Sequence, residues 1–515
     1  MKRKLSANDS LMPKSSKTNL QELPSLVLLK IFSYLPYFPD VIGSISRVCK
    51  TFNDLSSDNL LPTNLTVNEN LLKAKNIKQI LKIISRAVNL RHFKVDLKAS
   101  SYSTKSNIEQ ILRILQVTSE RTRSLRTLRI VLDEVSYNYI TTVESYTRLC
   151  ESLIRTSENN ALEILELKNA ISLSILEALI LNIKHSLRCL KICVKEIPKG
   201  YPVFSKLYSC SKLEELHVDI NNKDDTAATY DGLYMLGDLH GLQKLVLVAQ
   251  EEFLFNFCVL SETFFKPLVC ICLINVVIHR SDAEIICKSC TKLKEIEITL
   301  LKCSVDYLIE NIPNTRHLEK FITVNGTSLS QKGINLISTW YSLRQLSIKN
   351  VADSKDLSSL DIITAFETGT LRNLVRCELD FTFLDDDCLK VICEQCPKLE
   401  TLGITYSQKL SDNGIKYMSV KGQNLTEIFL EHCTNVSDNG VKELISNCKN
   451  LKVLNIKHTS VSQQYCDKEL FIEETEVHCS HKACVNYKSE MISEYFDVDE
   501  YDDDSYSFKD YRYRR

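Results

Sequence analysis

Leu399-Glu400-Thr401-Leu402-Gly403-Ile404, followed by Leu410-Ser411-Asp412-Asn413-Gly414-Ile415, is a pair of motifs that returns twenty-six residues later. The second copy reads Leu425-Thr426-Glu427-Ile428-Phe429-Leu430 and then Val436-Ser437-Asp438-Asn439-Gly440-Val441. A weaker copy of the second motif is Leu329-Ser330-Gln331-Lys332-Gly333-Ile334. Chance is a poor explanation for two coordinated motifs at one period. Ser330, Ser411 and Ser437 are placed to cap the helix that follows, with Asp412 and Asp438 in its first turn.

Working outward, the unit Leu-x-x-Leu-x-Leu begins at Leu162, Leu187, Leu213, Leu242, Leu268, Leu293, Leu318, Leu343, Leu374, Leu399, Leu425 and Leu451. Successive starts lie 25 to 31 residues apart, mostly 25 or 26. Leu90 and Leu125 begin looser copies, 35 and 37 residues from the next. A period near 25 with this motif is that of a leucine-rich repeat, one short strand and one helix per coil. One coil cannot bury its own apolar edge. Stacked coils bury a continuous column, each leucine or isoleucine contributing about 1.5–3 kcal/mol when enclosed. The expected fold is therefore α/β: a curved solenoid with parallel strands on the concave face and helices on the convex face.

Six segments follow along the chain. Residues 1–19 are expected to be disordered and 20–62 to form a compact apolar helical domain. Residues 63–124 are expected to be a helical linker with degenerate first repeats, and 125–465 the repeats proper. A C-terminal cap (466–493) and an acidic, Tyr-rich tail (494–515) complete the chain.

Several repeats carry a cysteine three residues before the first leucine: Cys210, Cys290, Cys396 and Cys448. Each thiol is placed to close a helix end against the next strand. Metal chemistry fails on spacing, because cysteines one coil apart stack up a column instead of converging on an ion. This pattern resembles the cysteine-containing repeat class found in F-box proteins.

The amino-terminal segment resembles the F-box independently. It reads Leu23-Pro24-Ser25-Leu26-Val27-Leu28-Leu29-Lys30-Ile31-Phe32-Ser33-Tyr34-Leu35-Pro36, and closes with Ser46-Arg47-Val48-Cys49-Lys50-Thr51-Phe52. It departs from the family at Ser25 and Leu26, where acidic residues are common. A helix apolar nearly all round must be buried on more than one side. So short a segment can hardly supply that burial alone. The resemblance implies a substrate-recognition subunit of a Skp–cullin–F-box ubiquitin ligase, with no catalysis of its own. The implied partners are a Skp-type adaptor and, through it, a cullin and a RING protein. The implied adaptor-facing set is Leu23, Pro24, Leu28, Ile31, Phe32, Leu35, Val48, Cys49 and Phe52. Two rival readings are an interaction scaffold that never joins a cullin and a repeat protein whose F-box likeness is accidental.

Composition agrees. Lys plus Arg is 64 and Asp plus Glu is 65, so neither nucleic acid nor an anionic membrane is an expected partner. The opening Met1-Lys2-Arg3-Lys4 leads into polar residues without the apolar core of a signal peptide. With 20 cysteines, this fits a reducing compartment, cytoplasm or nucleus. No Walker loop, dinucleotide fingerprint or HExxH occurs, and no cofactor is expected. One cluster offers zinc ligands, Cys466, His478, Cys479, His481 and Cys484, against the alternative of an ordinary C-terminal cap. In the tail, Tyr495, Tyr501, Tyr506, Tyr511 and Tyr513 lie among acids, as sites for phosphorylation or as an inert solvated end.

The protein substrate is expected on the concave face. Val246, Val248, Cys272 and Ile274 are read as an exposed apolar stripe, bordered by Glu295 and Glu297. The alternative is that Glu251 to Phe265, rich in Phe, folds over it.

Overall fold

The computed structural model describes residue 28 and the bulk of residues 63–479. Residues 1–27, 29–62 and 480–515 lie outside it, as do shorter stretches of which the longest are 98–104, 133–142, 195–205, 221–235 and 469–475. The expected disordered start, F-box helix and Tyr-rich tail thus lie outside the described residues, Leu28 apart. The chain divides into two compact units, Met1–Leu318 and Glu319–Arg515.

Among the described residues of the first unit, nine strands run parallel, each hydrogen-bonded to the next in chain order. They are β1 (Asn64–Asn68), β2 (His92–Asp96), β3 (Thr127–Val131), β4 (Ile164–Lys168), β5 (Cys189–Val194), β6 (Glu215–Ile220), β7 (Lys244–Leu254), β8 (Cys270–Ile278) and β9 (Glu295–Leu301). The second unit has seven: β10 (Lys320–Val324), β11 (Gln345–Lys349), β12 (Arg376–Asp380), β13 (Thr401–Thr405), β14 (Glu427–Phe429), β15 (Val453–Asn455) and β16 (Glu476–His478). These too pair in parallel, in order.

The motif leucines explain the register. Leu128, Leu165, Leu190 and Leu216 occupy matched positions on adjacent strands and are fully enclosed. Leu346, Cys377, Leu402, Ile428 and Leu454 do the same in the second unit. A one-residue slip would turn every one of them to the other face, so the register is tightly specified.

The repeats reach further than their consensus. In 63–124, read as a helical linker with degenerate first repeats, β1 and β2 join the ladder in register. Their period is long because the helices Lys105–Arg121 and Val143–Asn159 each have 17 residues, against 10 in Asp412–Lys421 and Asp438–Asn447. At the other end, β16 adds a rung within the segment expected to be only a cap.

The Ser-Asp-Asn-Gly motif binds one coil to the next. Ser411 and Ser437 accept from the backbone N–H two residues on, as caps should, whereas Ser330 makes no such bond. The aspartate reaches back from the preceding coil. Asp386 accepts from the Ser411 backbone N–H at 2.8 Å and from its hydroxyl at 2.6 Å. Asp412 does so for Ser437, and Asp438 for Ser462. The glycine makes room: a Cβ on Gly440 would lie 2.4 Å from Asp412 Oδ1.

Every described cysteine is free. Cys396 closes the helix Asp386–Gln395 and its thiol donates to the Leu371 carbonyl at 3.5 Å. Burial pushes that thiol up to about 12, and Cys448 up to about 11. Thiols held protonated in this way are inert packing groups.

Candidate functional site

A parallel strand ladder turns alternate residues away from the core, so the outward rows are where a partner can touch. In the first unit one row is His217, Val246, Cys272 and Glu297 on β6 to β9. The expected exposed stripe is not there. Val246 is 1% exposed, Cys272 2% and Ile274 1%, and Val248 is half-buried. These apolar side chains lie side by side on the two longest strands, with half-buried His217 and Glu297 flanking the row. Glu295 is likewise half-buried and accepts a hydrogen bond from the Cys270 thiol at 3.4 Å.

The Phe-rich segment Glu251 to Phe265 begins as the end of β7, which runs to Leu254. Phe255 and Phe257 pack edge-on with ring centroids 4.5 Å apart, and Phe264 and Phe265 pack edge-on as well. The Phe257 backbone N–H donates to Asp282 at the start of the helix Arg280–Ser289. Residues 255–265 thus pack among themselves and against the start of that helix.

The second unit holds charge on its outward rows. Glu378 on β12 is 4% exposed, yet it is ionised. Burial alone would raise its pKa, but Lys349 and Arg376 outweigh burial and hold it below the ordinary glutamate value. Lys349 Nζ lies 2.5 Å from Oε2, Arg376 pairs with Oε1, and the Ser347 hydroxyl donates to Oε2 at 3.2 Å. Beside it on β13, Gly403 leaves space: a Cβ there would stand 3.0 Å from Glu378 Cγ. Arg376 also reaches toward Glu427, which accepts from the Thr401 hydroxyl at 3.1 Å.

Among the described residues six non-glycine residues take up left-handed backbone: Asn275 within β8, and Asn325, Asn350, Tyr406, His432 and His458 shortly after their strands. Asparagine and histidine are the types enriched in that conformation and tyrosine is not, and the last three are the ones that carry rings. Sequence reading passed over them because they fall two positions beyond the repeat motif.

The other sequence-derived sites are only partly described. Leu28 is helical and 1% exposed, so it is buried within this chain itself. Leu23, Pro24, Ile31, Phe32, Leu35, Val48, Cys49 and Phe52 lie outside the described residues. Of the zinc candidates, Cys466 and Cys479 are buried and His478 is half-buried, and these three do not converge on one point. His481 and Cys484 lie outside the described residues. Among the described residues no helix is long and apolar enough to cross a membrane.

Residues 20–67 match the F-box-like family. The chain thus carries an F-box-like segment ahead of its leucine-rich repeats. That segment runs five residues past the boundary expected at 62, into β1. No curated protein matches the chain. Solved structures do. A chain of the yeast Rad7 and Elc1 complex is 16% identical, with 69% of this chain and 89% of that one covered and a TM-score of 0.42. A leucine-rich-repeat protein of Leptospira interrogans is 13% identical, with 75% and 88% covered and a TM-score of 0.35. An internalin C2 of Listeria monocytogenes is 13% identical, with 43% and 84% covered and a TM-score of 0.29.

Proposed function

We propose that this F-box-like, leucine-rich-repeat protein is the substrate-recognition subunit of a Skp–cullin–F-box ubiquitin ligase. The F-box-like segment binds a Skp-type adaptor, and through it a cullin and a RING protein. The outward strand rows hold a protein substrate near the charged E2, and no residue of this chain performs chemistry on it. The observation that carries the reading is the F-box-like match at residues 20–67 directly ahead of a repeat array. An array of outward rows offers a wide surface whose side chains vary independently of the core. The half-buried charges around Glu378 make the second unit the stronger candidate for the substrate face. The free cysteines agree with work in the cytoplasm or nucleus.

The test is a pull-down of the full chain against its Ile31→Ala/Phe32→Ala variant, probed for adaptor and cullin. Recovery of both by wild type and of neither by a folded variant supports the reading. Adaptor without cullin points to a scaffold. Recovery of neither by wild type overturns it.

A further inference from the structure

Tyr406, His432 and His458 end successive coils with φ of 60°, 60° and 57°. The shared backbone state sends the three rings the same way, and they stack. Tyr406 and His432 have centroids 4.4 Å apart at 11°, and His432 and His458 are 4.3 Å apart at 15°. Hydrogen bonds lock the coils beneath them: Tyr406 N–H to the Glu431 carbonyl at 2.9 Å, and His432 N–H to the Lys457 carbonyl at 2.9 Å. Glu431 adds a carboxylate beside the rings. One ligand atom each from Glu431, His432 and His458 lie within 4.8 Å of one another.

We propose that Glu431, His432 and His458 form a binding site for a divalent transition metal of the zinc class. Two imidazoles and a carboxylate are a donor set that zinc accepts with one position left for water. Tetrahedral zinc, with bonds of about 2.0–2.2 Å, needs its ligand atoms roughly 3.4 Å apart. The present spread closes by rotating side chains, Glu431 and His432 half-buried and His458 exposed, without moving the locked backbone. Parallel rings direct their lone pairs side by side, so binding must splay the histidine stack. The inference does not depend on adaptor binding.

The test uses the full chain with Cys479→Ser, His481→Ala and Cys484→Ser, which removes three of the five candidate ligands near the C-terminus and leaves only Cys466 and His478 there. Metal-free protein is titrated with Zn2+ by calorimetry and with Co2+ by visible spectroscopy. The expected result is one equivalent bound, a Co2+ spectrum without a thiolate band, and an imidazole NMR shift marking the opened stack. His432→Ala or His458→Ala abolishes that binding, and Tyr406→Phe, which removes no ligand, retains it. Should an alanine variant melt early, His432→Gln/His458→Gln replaces it. Absence of stoichiometric binding, or its survival in the double-histidine variant, overturns the proposal.

Discussion

In the unit Met1–Leu318 the strands lengthen to 11 and 9 residues at β7 and β8, and their outward apolar residues lose contact with solvent. In Glu319–Arg515 the strands have 3 to 5 residues, and the outward rows hold paired charge. The inner columns of leucine and isoleucine are alike in both. The repeat motif therefore dictates the core and leaves each outward row to its neighbours. An outward residue is exposed or buried according to what the adjacent coils place beside it.

The sharpest way to break this contrast is to put one charge on each outward row. Ile274→Asp should cost about 3–5 kcal/mol, because it buries an unpaired carboxylate. Ile322→Asp, at a half-buried position in the second unit, should cost about 1 kcal/mol. Thermal melts of both variants compare them. Equal losses would erase the distinction between the rows.

A smaller effect separates the glycines. Gly440→Ala should cost about 2–3 kcal/mol, since the new Cβ displaces Asp412 from its serine. Gly241→Ala in the first unit meets nothing nearer than 3.6 Å and should be close to neutral. Hydrogen exchange localised to the coil after Gly440 shows whether the inter-coil bonds, and not the helix alone, are lost.

Smaller still is the pH effect at Glu378. Its folded pKa is depressed, so its stabilisation is present above the ordinary glutamate range and lost as pH falls through the folded value. Glu378→Gln should cost about 1–2 kcal/mol at pH 7, limited because Lys349 and Arg376 are each about one-third exposed. The gap between the variant and wild type should narrow below the glutamate range. Urea midpoints at pH 7 and pH 3.5 measure it, and a constant gap would mean that the charge on Glu378 is irrelevant.

The coils were legible from Leu162 onward because inner positions obey one rule, apolar at fixed spacing. Ser411, Ser437, Cys396 and Cys448 were legible for the same reason: each repeats at the period and serves the coil junction. The first coils were blurred because their 17-residue helices stretch the period. Val246, Cys272 and Ile274 were misread as surface because alternation gives a side chain's direction and says nothing of its cover. Tyr406, His432 and His458 were passed over because a left-handed turn is usually signalled by glycine or asparagine, and two of these are histidines.

The central claim is that the F-box-like segment joins this chain to a ubiquitin-ligase scaffold. Its most direct test is light scattering on purified chain mixed with a Skp-type adaptor and then with a cullin. A one-to-one complex with the adaptor that goes on to take up the cullin, and that Ile31→Ala/Phe32→Ala prevents from forming, is the expected result. A folded wild-type chain that stays separate from the adaptor would contradict the account.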